Sequence, residues 1–201
     1  MPAPFEIIAA PFTAYFAPLG EAFPDIDADP AGNWVKIGTS GDESMDEEGV
    51  TVQHAQEVNK IRTLGTTTPI KAFRVAEDLM ISFTLLDVSP EFYGLSVNSN
   101  EVATVAAGSG TAGTKTLQFY QGEQVATMAL LLRANVSPVA DAMNMQYEVP
   151  YCFQSGSPEP VFRKGEPAGF ALEFSALRDP NAGTKAESFG RLVIQHQLAL
   201  P

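Results

Sequence analysis

The chain has 201 residues, 45% of them hydrophobic, and a formal charge of −12 at pH 7. That length fits one domain with enough apolar content for a real core, and the charge repels a phosphate backbone, which excludes a nucleic-acid-gripping surface. No apolar run approaches the roughly 18 residues of a membrane span; the best, residues 125–132, has eight.

Cys152 is the only cysteine, so neither an intramolecular disulfide nor a cysteine-based zinc site is possible, and a reducing compartment is expected. The first residues, Met1-Pro-Ala-Pro-Phe-Glu, lack the basic region of a signal peptide. The charge is uneven. Residues 1–100 carry fifteen acids and five bases; residues 101–201 carry nine acids and seven bases.

Residues 5–9 and 12–16 are short apolar runs split by Pro11, expected as one interrupted strand or two edge strands. Residues 18–33 form a loop rich in Pro, Gly and Asp. Residues 34–38 are a short strand carrying the only tryptophan, Trp34, expected as a core anchor. Residues 41–49 are a second acidic loop. Two long runs follow. In residues 50–58, Val50, Val52, His54, Gln56 and Val58 alternate with Thr51, Gln53, Ala55 and Glu57, a period of two on a half-exposed strand. The second run spans 70–76 and continues through 79–87. Leu79, Ile81, Phe83 and Leu85 make one strongly apolar face, so that end is expected in the core, while residues 70–76 project. The intervening residues 59–69 hold Lys60, Arg62 and four threonines.

Ser89-Pro90-Glu91 is the clearest helix start in the chain. Ser89 can cap, Pro90 suits the first helical position, and Glu91 favours the positive helix end. Phe92, Tyr93, Leu95 and Val97 are spaced to hold that helix on a sheet, and Asn98-Ser-Asn100 ends it. Six further strands are expected, over residues 101–106, 116–120, 124–134, 143–153, 170–177 and 191–198. In the fourth of these Met143, Met145, Tyr147, Val149, Tyr151 and Phe153 share a face; in the fifth, Phe170, Leu172, Phe174 and Ala176 do. About ten short strands with Gly/Pro turns and one helix mean a mainly β protein, a sandwich or rolled barrel, with no repeat of solenoid period.

Several motifs of chemistry fail on inspection. Gly108-Ser-Gly110-Thr-Ala-Gly113 has the dinucleotide spacing, but a β-like segment follows where a helix is needed and no acid lies near residue 130. A glycine-rich hairpin is expected there. Lys115 misses the phosphate-loop position by one residue. Asp25, Asp27 and Asp29 resemble the start of an EF-hand, but Pro30 replaces the glycine and Lys36 the bidentate glutamate. His54 and His196 have no neighbouring acids at metal spacing. Ser40 has the wrong neighbours for a nucleophile elbow. Cys152, between Tyr151 and Phe153, is expected as a packed residue. No constellation converges, so neither an enzyme nor a cofactor is expected.

The order of features resembles the major tail (tail tube) protein of long-tailed, siphovirus-like bacteriophages and gene transfer agents. The residues that carry the resemblance are Ile8-Ala-Ala-Pro11-Phe-Thr-Ala-Tyr-Phe-Ala-Pro18-Leu-Gly20, Asn33-Trp34-Val-Lys-Ile-Gly38, Glu48-Gly49-Val50, the hairpin ending at Pro69-Ile-Lys, and Glu77-Asp78-Leu-Met-Ile-Ser-Phe-Thr-Leu-Leu-Asp87 leading into the capped helix. It covers residues 5–97. The resemblance implies a single domain over residues 1–201, a β-sandwich or rolled barrel with one flanking helix, and an excursion at residues 48–78 that reaches an adjacent ring. It implies a virion protein, made in the host cytoplasm, that stacks as hexameric rings around a tape-measure protein. Tail terminator and distal tail proteins are further implied partners, DNA is met only in transit, and no membrane is involved.

The residues themselves add a charge pattern. Residues 21–48 hold nine acids and one base, whereas residues 51–74 hold one acid and four bases. Lys60, Arg62, Lys71 and Arg74 are therefore expected to meet acids of a neighbouring subunit, with Asp42, Glu43, Asp46, Glu47 and Glu48 as the receptor. The alternatives are a β-sandwich binding module, such as a carbohydrate-binding adhesin or receptor-binding domain, and another virion protein, such as a capsid decoration or tail-completion protein.

Overall fold

The computed structural model describes residues 11–134 and 144–195. The expected strand at residues 5–9, His196 and the ends of two expected strands lie outside them. The protein is mainly β with one α-helix. Among the described residues ten strands run in chain order, with the helix between the fourth and fifth: β1 (Phe12–Ala17), β2 (Val35–Lys36), β3 (Thr51–Ile61), β4 (Lys71–Leu85), α1 (Pro90–Ser96), β5 (Val102–Val105), β6 (Thr114–Leu117), β7 (Thr127–Ala134), β8 (Met145–Gln154), β9 (Phe170–Ala176) and β10 (Arg191–Ile194). Eight of them form one antiparallel sheet in the order β2-β1-β7-β8-β9-β4-β3, with β10 pairing β8; β5 and β6 make a separate hairpin. Among the described residues no helix is long and apolar enough to cross a membrane.

The sheet rolls around its core. Leu79, Ile81, Phe83 and Leu85 of β4 pack with Leu130 and Leu132 of β7 and with Phe170, Leu172 and Phe174 of β9. Each such side chain removed from water contributes roughly 2 kcal/mol. Ile37 and Met45 join the same cluster, and the segment between them carries the chain from the β2 edge across to β4. There Leu86 N–H donates to the Ser44 carbonyl at 2.8 Å and Asp46 N–H to the Thr84 carbonyl at 3.0 Å. Gly38 allows the turn: its φ is +83°, and a Cβ would lie 2.7 Å from Ser44 Cβ and 3.1 Å from Leu85 Cδ1.

Helix α1 closes one side of the roll. Ser89 Oγ accepts from Phe92 N–H at 3.3 Å and Pro90 opens the helix, as the sequence leads one to expect. Leu95 is buried in the core, and Phe92 and Tyr93 pack against it. Asn98 and Ser99 follow at positive φ, and Asn98 Nδ2 donates to the Gln124 carbonyl at 2.9 Å.

The outer face of β1, β7 and β8 is covered as well. Trp34, Ala17, Ala129 and Leu131 form a second cluster, with Tyr15 and Phe23 against it. The loop at residues 18–33 is tied down through its carbonyls. Trp34 Nε1 donates to Ala22 at 2.9 Å, Gln146 Nε2 to Pro24 at 2.9 Å and Asn144 Nδ2 to Ile26 at 3.0 Å. The buried Arg133 guanidinium donates to Ile26 and Ala28.

One expected face is corrected. Tyr147 and Val149 line the core side of β8, but Cys152 joins them there in place of Tyr151 and Phe153. The register between β7 and β8 shifts between Met128 and Leu130, which pair with Cys152 and Val149. The extra residue on β8 is a bulge beside Pro150, whose missing N–H cannot join a ladder.

Candidate functional site

The distinctive feature is the far half of the hairpin made by β3 and β4. From Met80 to Leu85, β4 pairs with β9 as well as lying in the rolled sheet. From Leu79 outward its only strand partner among the described residues is β3, through Ile61 opposite Lys71. Every residue from 53 to 78 is exposed. At about 3.3 Å per residue the hairpin reaches roughly 30 Å beyond the sheet. The boundary falls where the apolar alternation starts, at Leu79, so the expected division into a core end and a projecting end agrees with the structure.

The ladder holds one irregularity. Glu57 pairs with Ala76 and Val58 with Arg74, which leaves Val75 as a bulge. Towards the tip, Val58, Lys60, Ala72 and Arg74 share one face, while Asn59, Ile61, Lys71 and Phe73 share the other. At the turn, Ile70 N–H donates to the Ile61 carbonyl at 2.9 Å, and the Thr63 and Thr66 hydroxyls share a hydrogen bond at 3.1 Å.

All four cations expected at the site lie on this arm, two of them already engaged. Arg74 donates from Nε to Gln56 Oε1 and pairs with Glu77, both at 3.2 Å. The Lys71 ammonium sits 4.9 Å from the centre of the Phe73 ring. Lys60 and Arg62 lie exposed at the tip. The five expected acids divide similarly. Glu43, Glu47 and Glu48 are exposed. Asp42 is half-buried in the 3-10 turn Gly41–Ser44 and accepts from Thr13 Oγ1 at 3.3 Å, and Asp46 Oδ1 accepts from Glu47 N–H at 2.8 Å. One chain does not bring the two sets together, because the acidic loop adjoins the base of the arm and the cations sit toward its tip.

Charge is only part of the arm's chemistry. Val58, Ile61, Leu64, Ile70, Phe73 and Val75 are all exposed, Leu64 completely. The alternation over residues 50–58 predicts a half-exposed strand, whereas all of it from Gln53 outward is exposed; the arm's large apolar side chains are few but gathered at one end. Among the described residues three aromatics are exposed elsewhere: Phe119 and Tyr120 after β6, at 68% and 82%, and Phe162 in the segment before β9, at 75%.

The remaining motifs fall in structural settings. Gly108 and Thr111 bridge at the turn of the β5–β6 hairpin, with no helix after Gly113. Asp25, Asp27 and Asp29 are exposed on the tied-down loop, and among the described residues no three His, Cys, Asp or Glu side chains cluster at metal distance. His54 is exposed opposite Leu79. Burial pushes the Cys152 thiol up to about 12, the setting of an inert cysteine. Compared with known families and curated proteins, the chain matches no family model and no curated sequence.

Proposed function

We propose that the protein is a structural subunit of a phage-type tail tube. It would assemble as stacked rings around a tape-measure protein and line the conduit for DNA ejection. The observation that carries this reading is the arm of residues 53–78. A lone domain gains nothing from holding six large apolar side chains and four cations in water along an arm about 30 Å long. A subunit with a complementary acidic surface can use them to hold the next copy. A head-to-tail contact of that kind repeats and grows a ring or a filament. The acidic balance of the remainder suits a channel through which DNA slides without adhering.

Electron microscopy of the purified protein tests this directly. Rings or tubes are expected, and they disappear when residues 59–73 are replaced by a two-residue Asn-Gly turn, which joins the paired Val58 and Arg74 and keeps the register. A protein that stays monomeric at high concentration counts against the reading.

A second reading has a specific observation behind it. Phe119, Tyr120 and Phe162 are exposed on loops, as the stacking platform of a carbohydrate-binding module requires. Titration with glycans separates the two. A binding signal lost in Tyr120→Ala, in a protein that forms no rings, favours the binding module.

A further inference from the structure

Residues 58–74, the outer part of the arm, carry four bases and no acid, in a chain whose net charge is −12. The arm's three acids sit further in, Glu57 at mid-arm and Glu77 and Asp78 at its foot, and Glu77 is paired with Arg74 at 3.2 Å. The same outer part exposes Val58, Ile61, Leu64, Ile70 and Phe73. Leu64 stands at the turn; Val58 lies on one face of the ribbon, and Ile61 and Phe73 lie on the other. The polar groups of the turn bond to one another. Thr66 N–H donates to the Thr63 carbonyl at 3.2 Å, and the Thr66 hydroxyl bonds to the Thr63 hydroxyl at 3.1 Å and to the Thr68 carbonyl at 3.3 Å.

We propose that an arm holding no second copy docks its tip on an anionic lipid bilayer, with Leu64 and Ile70 entering the headgroup layer and Lys60, Arg62 and Lys71 against the lipid phosphates. The proposal goes beyond the reading of the chain as a stacking subunit. It concerns the arms of free subunits and of the last layer in a head-to-tail stack, which have no copy to hold. It also departs from the expectation that no membrane is involved. Three features favour a lipid surface. The first is charge: bases without acids match anionic headgroups, each base strengthening the partition about fivefold. Duplex DNA matches the charge as well, but it has no apolar layer to take Leu64 and Ile70 out of water. The second is shape. A flat protein face covers one side of a two-stranded ribbon, whereas a bilayer surrounds its end, and Val58, Ile61 and Phe73 are divided between both sides. The third is length. The tip stands roughly 30 Å from the sheet, more than three screening lengths of about 8 Å at physiological salt, so the acidic body does not push it off an anionic surface. The internally bonded turn lowers the cost of leaving water, and the long stems of the lysines and Arg62 keep their charges at the phosphates while the chain beside them dips in.

Vesicle sedimentation tests this with the purified protein, below the concentration at which it assembles. Phosphatidylcholine vesicles with added phosphatidylglycerol should bind the protein at least about tenfold better than phosphatidylcholine alone. Lys60→Gln with Arg62→Gln should weaken that binding roughly 25-fold, and Leu64→Asn about tenfold. All three residues are exposed, so the fold does not depend on them. Leu64→Cys protein labelled with an environment-sensitive dye, Cys152 being buried, should shift its emission to the blue on the acidic vesicles; a label at Glu47→Cys should not. No preference for phosphatidylglycerol, or one that survives the Lys60 and Arg62 changes, overturns the proposal, and rings formed by the same preparations on concentration leave the stacking reading in place. Binding that survives Leu64→Asn and is matched by duplex DNA also overturns it, and makes the tip a plain polycation. Arm-dependent binding by a protein that forms no rings at any concentration upholds the bilayer and brings down the stacking reading.

Discussion

Glu148 shows what single residues must do to hold this fold. It is buried on the outer face of β8, where it accepts from Gln146 Nε2 at 2.6 Å and from Arg191 Nε at 2.5 Å. Arg191→Met removes the cation and leaves the carboxylate buried, at a cost of roughly 3 kcal/mol in urea denaturation. Adding Glu148→Gln should recover most of that loss, and a loss below about 1 kcal/mol for the single variant would contradict the role given to the pair. Cys152 makes a prediction about pH. Its thiol ordinarily titrates near 9.0 and burial pushes it up to about 12 in the folded protein. Between those values the folded state holds a proton that the unfolded state has released. The contribution is therefore complete below pH 9.0 and drains away as pH rises toward about 12. Relative to Cys152→Ala, the protein should lose stability over that window and nowhere below it. Thiol reagents at neutral pH should leave the native protein unmodified and label it on unfolding.

Among the elements, β4 carries the sharpest contrast. Its inner end alternates buried and half-buried residues, and its outer end is exposed throughout. Backbone amides of residues 53–77 should exchange with solvent at least about 100-fold faster than those of 79–85, because the outer ladder has little packed over it. Equal protection along the strand, measured by mass spectrometry, would show that the arm is held by something in the free protein. This division was legible in the sequence: Leu79, Ile81, Phe83 and Leu85 give a clean period of two, and Ser89-Pro90 marks the helix that follows. The covering of β7 on both faces was not. Its outer face is buried by the 18–33 loop, and that loop is held through the carbonyls of Ala22, Pro24, Ile26 and Ala28. Carbonyls are common to every residue and leave no trace in a sequence. The hints were on the donor side: Arg133 within an apolar run, and Gln146 on a strand whose polar face reads as solvated. The inward turn of Cys152 was hidden for a similar reason, since a bulge at Pro150 changes the face without changing the residue types. The candidate site was half legible. Its cations stand out in the residue counts, whereas the exposure of Leu64, Ile70 and Phe73 follows only from where β4 leaves β9.

At the scale of the whole molecule, the prediction concerns growth. Lys60→Glu with Arg62→Glu leaves the core untouched, since both residues are exposed on the arm. Reversing two charges at a repeated contact should cost about 1–3 kcal/mol per contact, or roughly a 5- to 150-fold rise in the concentration at which rings or tubes form. Sedimentation and microscopy at a series of concentrations measure it. Salt should act the same way on the unaltered protein, because raising it from about 0.1 M to 1 M shortens the screening length from about 10 Å to 3 Å. The apolar part of the contact resists that change, so assembly should weaken with salt without vanishing. Unchanged assembly in the doubly reversed protein would remove the arm's cations from the account.

The fifteen-residue strand β4 also has a mechanical meaning. Its inner end is fastened to β9 and its outer end forms the arm, with no break in the backbone between them other than the bulge at Val75. Hydrogen bonds in an antiparallel ladder lie across the strands. A pull on the tip along the arm therefore strains the whole set of rungs in shear at once, instead of opening them one after another. A chain of such subunits would stretch as a cable of anchored strands, and its weakest link under tension would be the seating of each tip, not the folding of any domain.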